Sequence, residues 1–471
     1  MSLSLFAITD LDEAALGAER PRVRQLARVR IFRDRRAESP TFEAQAAIKY
    51  RGASSLNYEQ KSFAVEFRDD QNREIKRRPL GLQAGSDWVL VACWLDRTCM
   101  RNALAYRLGH AFGRWSPALR WVEVSVNGNY RGIYQLVEAI RSGSHRLNLV
   151  RPAPESLLGD ITGDYVFRRE HAGKSRHEQN PRLAYDWVSA ARDPNGRRSV
   201  FTHHYPRHDD LTEGQRQYLH TFVAQFEEGM YRGAARGQKL ETLLDIPSWV
   251  DYALATEWSH DVDGWMKSMY FIKRADAVGV RLELTPLWDY NLAFGQVKVR
   301  DANNTALWQH DAGNRDGFAC SPLLATPAGC RACRRGLKCG NLAYIPYWAL
   351  QLFKNPVFTD ALACRWRQLR HGPLADAVMF STLRRWHNEL RLAMREHFGR
   401  WPRLLKHGLV ARPAGREPRL VPKSPLSHLV RRDDDRARRQ FGKEVAWLAE
   451  WIRRRNVWLD HELGTCHTPK P

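Results

Sequence analysis

Residues 121–138 read Trp121-Val-Glu-Val-Ser-Val126-Asn127-Gly128-Asn129-Tyr-Arg-Gly132-Ile-Tyr-Gln-Leu-Val137-Glu138. Two β-rich runs, Trp121 to Val126 and Gly132 to Val137, flank an Asn-Gly pair. Asn and Gly tolerate the positive φ angles of a tight hairpin turn, so the stretch predicts two antiparallel strands. Towards the N-terminus a helix precedes it. Met100, Leu104, Leu108 and Phe112 recur every four residues, Asp96 can cap the start and Gly113 stops it. Earlier still, Leu3–Thr9, Val23–Phe32, Ala46–Tyr50 and Lys61–Phe67 read as strands, with Arg51-Gly52-Ala53-Ser54-Ser55 as a turn.

Beyond the hairpin the pattern turns mostly helical. Leu211–Tyr231 and Ile246–His260 are amphipathic, and a short β-pair follows, Ser268–Lys273 with Val280–Leu284. After residue 340 come helices rich in Trp and Arg, a Pro-bearing loop from Pro413 to Pro425, and a last helix, Arg438–Leu459. The layout predicts an α+β, two-lobed protein-kinase-like fold. A small strand-rich N-lobe with one helix, residues 1–142, would bind nucleotide. A larger, mainly helical C-lobe, residues 143–471, would be catalytic and metal-binding. That lobe carries a Cys-rich insertion near 318–341 and a C-terminal helical extension.

Composition bounds the partners. Net charge is +22, from 74 Lys+Arg against 52 Asp+Glu. Such a field favours anions, among them nucleotides and acidic proteins. No zinc-finger, homeodomain-like or RNA-recognition signature accompanies the charge, so nucleic acid ranks last. The longest uncharged apolar run, Trp88–Leu95, is too short to span a bilayer. Met1–Thr9 reads as a strand and lacks the regions of a signal peptide. The chain is therefore expected to be cytoplasmic, or exported to a periplasm or cell surface after a targeting segment has been removed.

Two segments concentrate chemistry. One is Glu257-Trp-Ser-His-Asp261-Val-Asp263-Gly-Trp-Met-Lys267-Ser268, the other Pro286-Leu-Trp288-Asp289-Tyr290-Asn291-Leu-Ala-Phe294-Gly295. Both set carboxylates among apolar and aromatic residues, where an acid needs a cation or a hydrogen-bond partner. Carboxylates at the two ends of one hairpin can hold Mg²⁺ or Mn²⁺ through oxygen ligands. Phosphoryl transfer needs one Asp to orient an acceptor hydroxyl, another to hold the metal on the nucleotide phosphates, and a Lys to neutralise phosphate charge. The spacing of Asp263, Ser268 and Asp289 fits that scheme. Asp263 before Gly264 is equally an ordinary turn pair.

Several ordered stretches resemble the CotH (spore coat protein H) kinase family. They are Lys49–Ser55 with Gln60–Phe63, Asp87–Leu90 with Asp96 and Arg101-Asn102, Val126–Glu138, Glu257–Ser268, Trp288–Gly295, Arg365–Arg370 and Arg400–Pro402. The matches run in the family's order over most of the chain. The resemblance implies an atypical, two-lobed protein kinase that uses ATP and a divalent cation to phosphorylate serines. It implies Lys61 as the phosphate-binding lysine and the loop carrying Arg51, Gly52 and Ser54 as the cover over the nucleotide. Asp263 would be the catalytic Asp and Asp289 the metal-binding Asp, with Ser268, Asp261 and Asn291 as further metal positions. Glu138 and Asp96 are alternatives for positioning Lys61 or contacting nucleotide, and either can instead pair with an Arg. Arg101 and Asn102 are expected to serve packing. The sequence departs from the family pattern at Asp261, where Asn is usual, and at Gln296, which replaces another Asn. The basic surface would suit an acidic protein substrate. Transfer to a non-protein acceptor, transfer of AMP, and a non-enzymatic surface-binding role are the alternatives.

Eight cysteines remain to be placed. Cys320, Cys330, Cys333 and Cys339 form a cluster that suits a structural Zn²⁺, two disulfides or free thiols. Cys93, Cys99 and Cys364 fall in apolar segments and read as buried packing residues.

Overall fold

Alternation of apolar and polar side chains builds the first sheet. The strands are β1 (Ser4–Thr9), β2 (Gln25–Phe32), β3 (Phe42–Arg51), β4 (Ser62–Arg68), β5 (Asp87–Ala92), β6 (Leu119–Val126) and β7 (Asn129–Glu138). In β2, Ala27, Val29 and Ile31 are buried and Leu26 and Arg28 are exposed. This period of two puts one face of each strand inward. The computed structural model describes residues 2–16, 24–52, 54–153, 161–170, 185–236, 240–279, 281–297, 303–311, 345–405, 424–431, 435–464 and 466.

The chain divides into two compact units. One comprises Met1–Tyr106, Ser116–Arg141 and Leu374–Arg454, the other Arg107–Trp115, Ser142–Pro373 and Arg455–Pro471. The helices are α1 (Arg101–Ala111), α2 (Glu213–Arg236), α3 (Ile246–Ser259), α4 (Tyr347–Leu352), α5 (Pro356–Arg370), α6 (Asp376–Arg400), α7 (His428–Arg431) and α8 (Arg436–Glu462).

In the first unit the seven strands close into a barrel in the order β1-β2-β3-β4-β5-β7-β6. Closure is by parallel pairing of β1 with β6, from Ser4 opposite Val122 to Ile8 opposite Val126. Phe6, Val29, Ile48, Phe67, Trp88, Leu90, Val124 and Leu136 are among the residues that fill its interior. Helix α6 lies on β7. There the Ile133 N–H donates to His397 Nδ1 at 3.0 Å and the Trp401 Nε1–H donates to the Arg131 carbonyl at 3.0 Å. Gly132 sits between these contacts at φ 91°, and a Cβ there would stand 2.6 Å from His397 Nδ1. Only glycine allows that approach.

In the second unit β8 (Tyr165–Glu170), β9 (Trp187–Val188), β10 (Val200–Tyr205), β11 (Met269–Lys273) and β12 (Leu282–Leu284) form a sheet in the order β12-β11-β8-β10-β9. Phe167 and Phe271 stack across β8 and β11 with ring centroids 5.1 Å apart. Helix α3 is buried along most of its length, and its Trp249 Nε1–H donates to the Leu282 carbonyl at 2.7 Å. A helix buried on nearly all sides belongs inside a core, and its buried polar side chains, Asp251 and Glu257 among them, need partners there. Asp245 caps it by accepting the Ser248 N–H at 3.1 Å.

These findings overturn the expected two-lobed, protein-kinase-like fold with a mainly helical C-lobe. The N-terminal strands close into a barrel, and the residues after 142 carry a five-stranded sheet of their own. Strand β5 lies hidden in the apolar run from Trp88, where side chains of both faces are apolar or buried. Strands β8 and β10 carry Arg and His at positions that a short strand buries only through its neighbours.

The cysteines also differ from expectation. Cys93 pairs with Cys99, and Cys364 pairs with Cys466, so these are disulfides and not packing thiols. Cys320, Cys330, Cys333 and Cys339, with the insertion near 318–341, lie outside the described residues, as does most of the loop from Pro413. No helix among the described residues is long and apolar enough to cross a membrane.

Candidate active site

The acid-rich segments meet at the C-terminal end of α3, within the second unit. The helix ends on His260, whose φ of 47° is the left-handed cap conformation. The chain then turns back on itself. The Asp261 N–H donates to the Thr256 carbonyl at 3.1 Å and the Gly264 N–H to the Asp261 carbonyl at 3.1 Å. A Cβ on Gly264 would stand 2.5 Å from Thr256 Cγ2, so the turn can press on α3 only with glycine there. A single helical turn follows, with the Met266 and Lys267 N–H groups donating to the Asp263 carbonyl at 2.8 and 2.9 Å. It sets Lys267 one turn beyond Asp263, and the ammonium lies 3.0 Å from Asp263 Oδ2.

The second segment follows β12 and is tied back to α3 where the Phe294 N–H donates to the Ser259 carbonyl at 2.6 Å. Asp289 Oδ2 accepts from the Ser268 hydroxyl at 3.3 Å. Asp289 and Ser268 both hold positive φ, 72° and 56°. Each such non-glycine residue costs about 1–3 kcal/mol and persists where the surroundings over-determine it. Asn291 is half-buried in the turn after Asp289.

Charge at this place is unevenly satisfied. Glu257, near the end of α3, accepts from the Gln309 and His310 N–H groups at 2.6 and 2.9 Å and from the Trp265 Nε1–H at 3.0 Å. Burial alone would raise its pKa, but His310, Arg455 and the Gln309 N–H outweigh burial and hold it at about 2. Asp261 is buried too, yet among the described residues its carboxylate accepts only from the Asp263 N–H, at 3.4 Å. Burial first, then the charges of Asp263 and Asp289, push its pKa well above the usual carboxylate range. Burial would lower the pKa of Lys267, but Asp263 and then Asp289 raise it overall. Arg168, on β8, is raised by Glu170, Tyr270 and Asp289 against its burial.

A buried acid short of donors, two further carboxylates and a hydroxyl make a hard, oxygen-only donor set of the kind Mg²⁺ or Mn²⁺ takes. Asp261, Asp263 and Asp289 are not drawn as close as ligands around an ion. The three-group cluster whose ligand atoms lie within 4.8 Å of one another, among the described residues, is Asp186, His203 and His208.

The remaining candidates belong to the first unit. The Lys61 ammonium donates to the Leu56 and Tyr58 carbonyls, both at 3.0 Å. Gly52 follows β3 at φ 118°, and a Cβ there would collide with the Ser55 hydroxyl. Arg51 is the last residue of β3, and Ser54 opens the short turn Ser54–Asn57. Glu138 is buried at the end of β7 and accepts the Ala118 N–H at 3.0 Å. Asp96 pairs with Arg101 at 2.5 Å and accepts the Arg101 N–H at 2.8 Å. The Asn102 side chain donates to Gln135 Oε1 at 3.1 Å, inside the first unit.

A protein-family model described as CotH kinase protein matches residues 48–459. The chain belongs to the CotH kinase family. A search of curated proteins returns no match. The family match covers both acid-rich segments and Lys61. Sequence reasoning gives no role to Lys267, although a Lys four residues after an Asp is the spacing that brings the two together on a helical turn. It gives none to Arg168 either, because the sequence pattern of residues 143–210 does not mark out strands.

Proposed function

We propose that this CotH kinase family chain is an ATP-dependent phosphotransferase, acting on Ser or Thr hydroxyls of a protein. The supporting observation is the group formed by Asp261, Asp263, Lys267, Ser268 and Asp289 at the end of α3. Asp289, Ser268 and Asp261, with Asn291 beside them, are the residues that would hold a divalent cation. When bound, the cation supplies neutralisation of nucleotide phosphate charge. Asp263 is the group to orient and accept the proton of the attacking hydroxyl. Lys267 balances its charge and is placed to answer negative charge on a transferring phosphoryl group. In the first unit, Lys61 and the loop of Arg51, Gly52 and Ser54 remain the proposed nucleotide-binding groups. Two of the three Lys61 donors are engaged among the described residues.

The net charge of +22 favours an acidic protein as substrate. Two disulfides favour an oxidising compartment, since such bonds are rare in the cytosol. Calorimetry of Mg²⁺-ATP binding tests the reading. Asp289→Ala is expected to bind the complex at least about a hundredfold more weakly with its fold intact. Unchanged binding by that variant would overturn the site assignment.

A further inference from the structure

The sheet of the second unit gathers a different set of ligating groups, independent of the proposed phosphotransferase site. Asp186 stands immediately before the edge strand β9, His203 lies in β10, and His208 opens the turn His208–Asp210 that leads towards α2. Asp186 Oδ2 lies 3.2 Å from His203 Nδ1, and His208 Nδ1 lies 3.2 Å from the same nitrogen. In a tetrahedral zinc site with ligands at about 2.0–2.1 Å, neighbouring ligand atoms stand about 3.3 Å apart. The two measured separations match such an edge. Hydrogen bonding accounts for them less well. His203 Nδ1 has one proton or one lone pair to offer, and it faces a carboxylate oxygen and an imidazole nitrogen together.

The surroundings are those of a built site. His203 Nε2, the nitrogen turned away from the cluster, lies 3.2 Å from His220 Nε2 on α2. A metal-bound histidine characteristically donates its other ring N–H to a neighbour in this way. The Trp187 ring packs against His203 and His220, with centroids 4.4 and 4.5 Å away. The His203 backbone N–H donates to Asp186 Oδ2 at 2.6 Å and fixes that carboxylate. Arg216 Nη1 donates to the His208 and Leu211 carbonyls at 3.4 and 2.7 Å and holds the turn, while Glu213 balances its charge at 2.9 Å. Two imidazole nitrogens and one carboxylate oxygen suit zinc and its neighbours, whereas Mg²⁺ prefers oxygen alone.

We infer that Asp186, His203 and His208 hold a divalent ion of the zinc class, with the fourth position left to water. The ion fastens the two-residue edge strand β9 and the turn into α2 onto β10. Its binding energy is folding energy for this edge of the sheet.

The test uses the full chain, stripped of metal by a chelator and titrated with Zn²⁺ and with Co²⁺ in excess Mg²⁺. Wild type is expected to take up one equivalent of Zn²⁺ that His208→Ala and Asp186→Asn each bind at least about a hundredfold more weakly. His208 is half-buried in a turn, so His208→Ala should keep the wild-type circular dichroism. His220→Ala should weaken binding by about ten- to a hundredfold. With Cys320, Cys330, Cys333 and Cys339 replaced by Ser, Co²⁺ should still give a tetrahedral visible spectrum. The inference fails if wild type takes up no Zn²⁺, or if the bound equivalent survives both ligand variants with unchanged affinity. It fails equally if the only Zn²⁺ taken up is lost when Cys320, Cys330, Cys333 and Cys339 are replaced by Ser.

Discussion

The Lys267 ammonium stands 3.0 Å from the Asp263 carboxylate, one helical turn beyond it. Their side chains are 25% and 15% exposed, so the pair is more buried than a surface ion pair. Lys267→Met should lower the melting temperature, since it leaves Asp263 without its cation, and lower phosphoryl transfer by about a hundredfold or more. Steady-state rates beside a melting curve check both halves.

Asp261 sits buried beside two further acids, and its pKa is raised by burial and then by their charges. Asp261→Asn removes the charge without changing shape. It should stabilise the metal-free chain by on the order of 1 kcal/mol and weaken the stabilisation conferred by Mg²⁺-ATP. Thermal melts in chelator and in saturating Mg²⁺-ATP measure the two effects.

Glu257 behaves in the opposite sense. Its folded pKa of about 2 lies below the ordinary 4.5, because His310, Arg455 and the Gln309 N–H outweigh burial. A depressed acid stabilises the fold fully above its unfolded pKa and loses that contribution as pH falls towards the folded one. The stabilisation, about 3 kcal/mol, should therefore disappear between about pH 4.5 and 2. Glu257→Gln should be less stable at neutral pH and should flatten the acid limb of a denaturation series over that window.

Cys364 and Cys466 lie 102 residues apart, whereas Cys93 and Cys99 are separated by six. A bond closing the longer loop restricts the unfolded chain more. Cys364→Ser with Cys466→Ser should lower stability by about 2–5 kcal/mol, and Cys93→Ser with Cys99→Ser by less. Urea unfolding of the two double variants gives the comparison.

Sequence reading and structure agree where the signal is local. The hairpin around Asn127-Gly128 forms as β6 and β7, and within the predicted pair Ser268–Lys273 and Val280–Leu284 the residues Met269–Lys273 and Leu282–Leu284 form β11 and β12, with Val280 outside the described residues. Helix α3 ends one residue before the predicted limit. What escapes reading is non-local. Closure of the barrel rests on β1 meeting β6, residues more than a hundred positions apart, and no periodicity reports that pairing. Strand β5 is buried on both faces, so it lacks the alternation that marks β2. The Asp186, His203 and His208 cluster spans a strand edge, a strand and a turn, with no fixed spacing to find. Asp263 and Asp289 stand out in the sequence because acids set among aromatic residues are costly without a partner. The pairing of Lys267 with Asp263 needs the turn geometry after Gly264.

Incubation with γ-labelled ATP and Mg²⁺ or Mn²⁺, wild type beside Asp263→Ala, tests phosphoryl transfer most directly. An acidic test protein serves as acceptor, and α-labelled ATP runs in parallel. Label from the γ position should appear on protein hydroxyls with wild type, be lost with Asp263→Ala, and be absent from the α-labelled reaction. Label of equal intensity with Asp263→Ala, or label carried only from the α position, would contradict it.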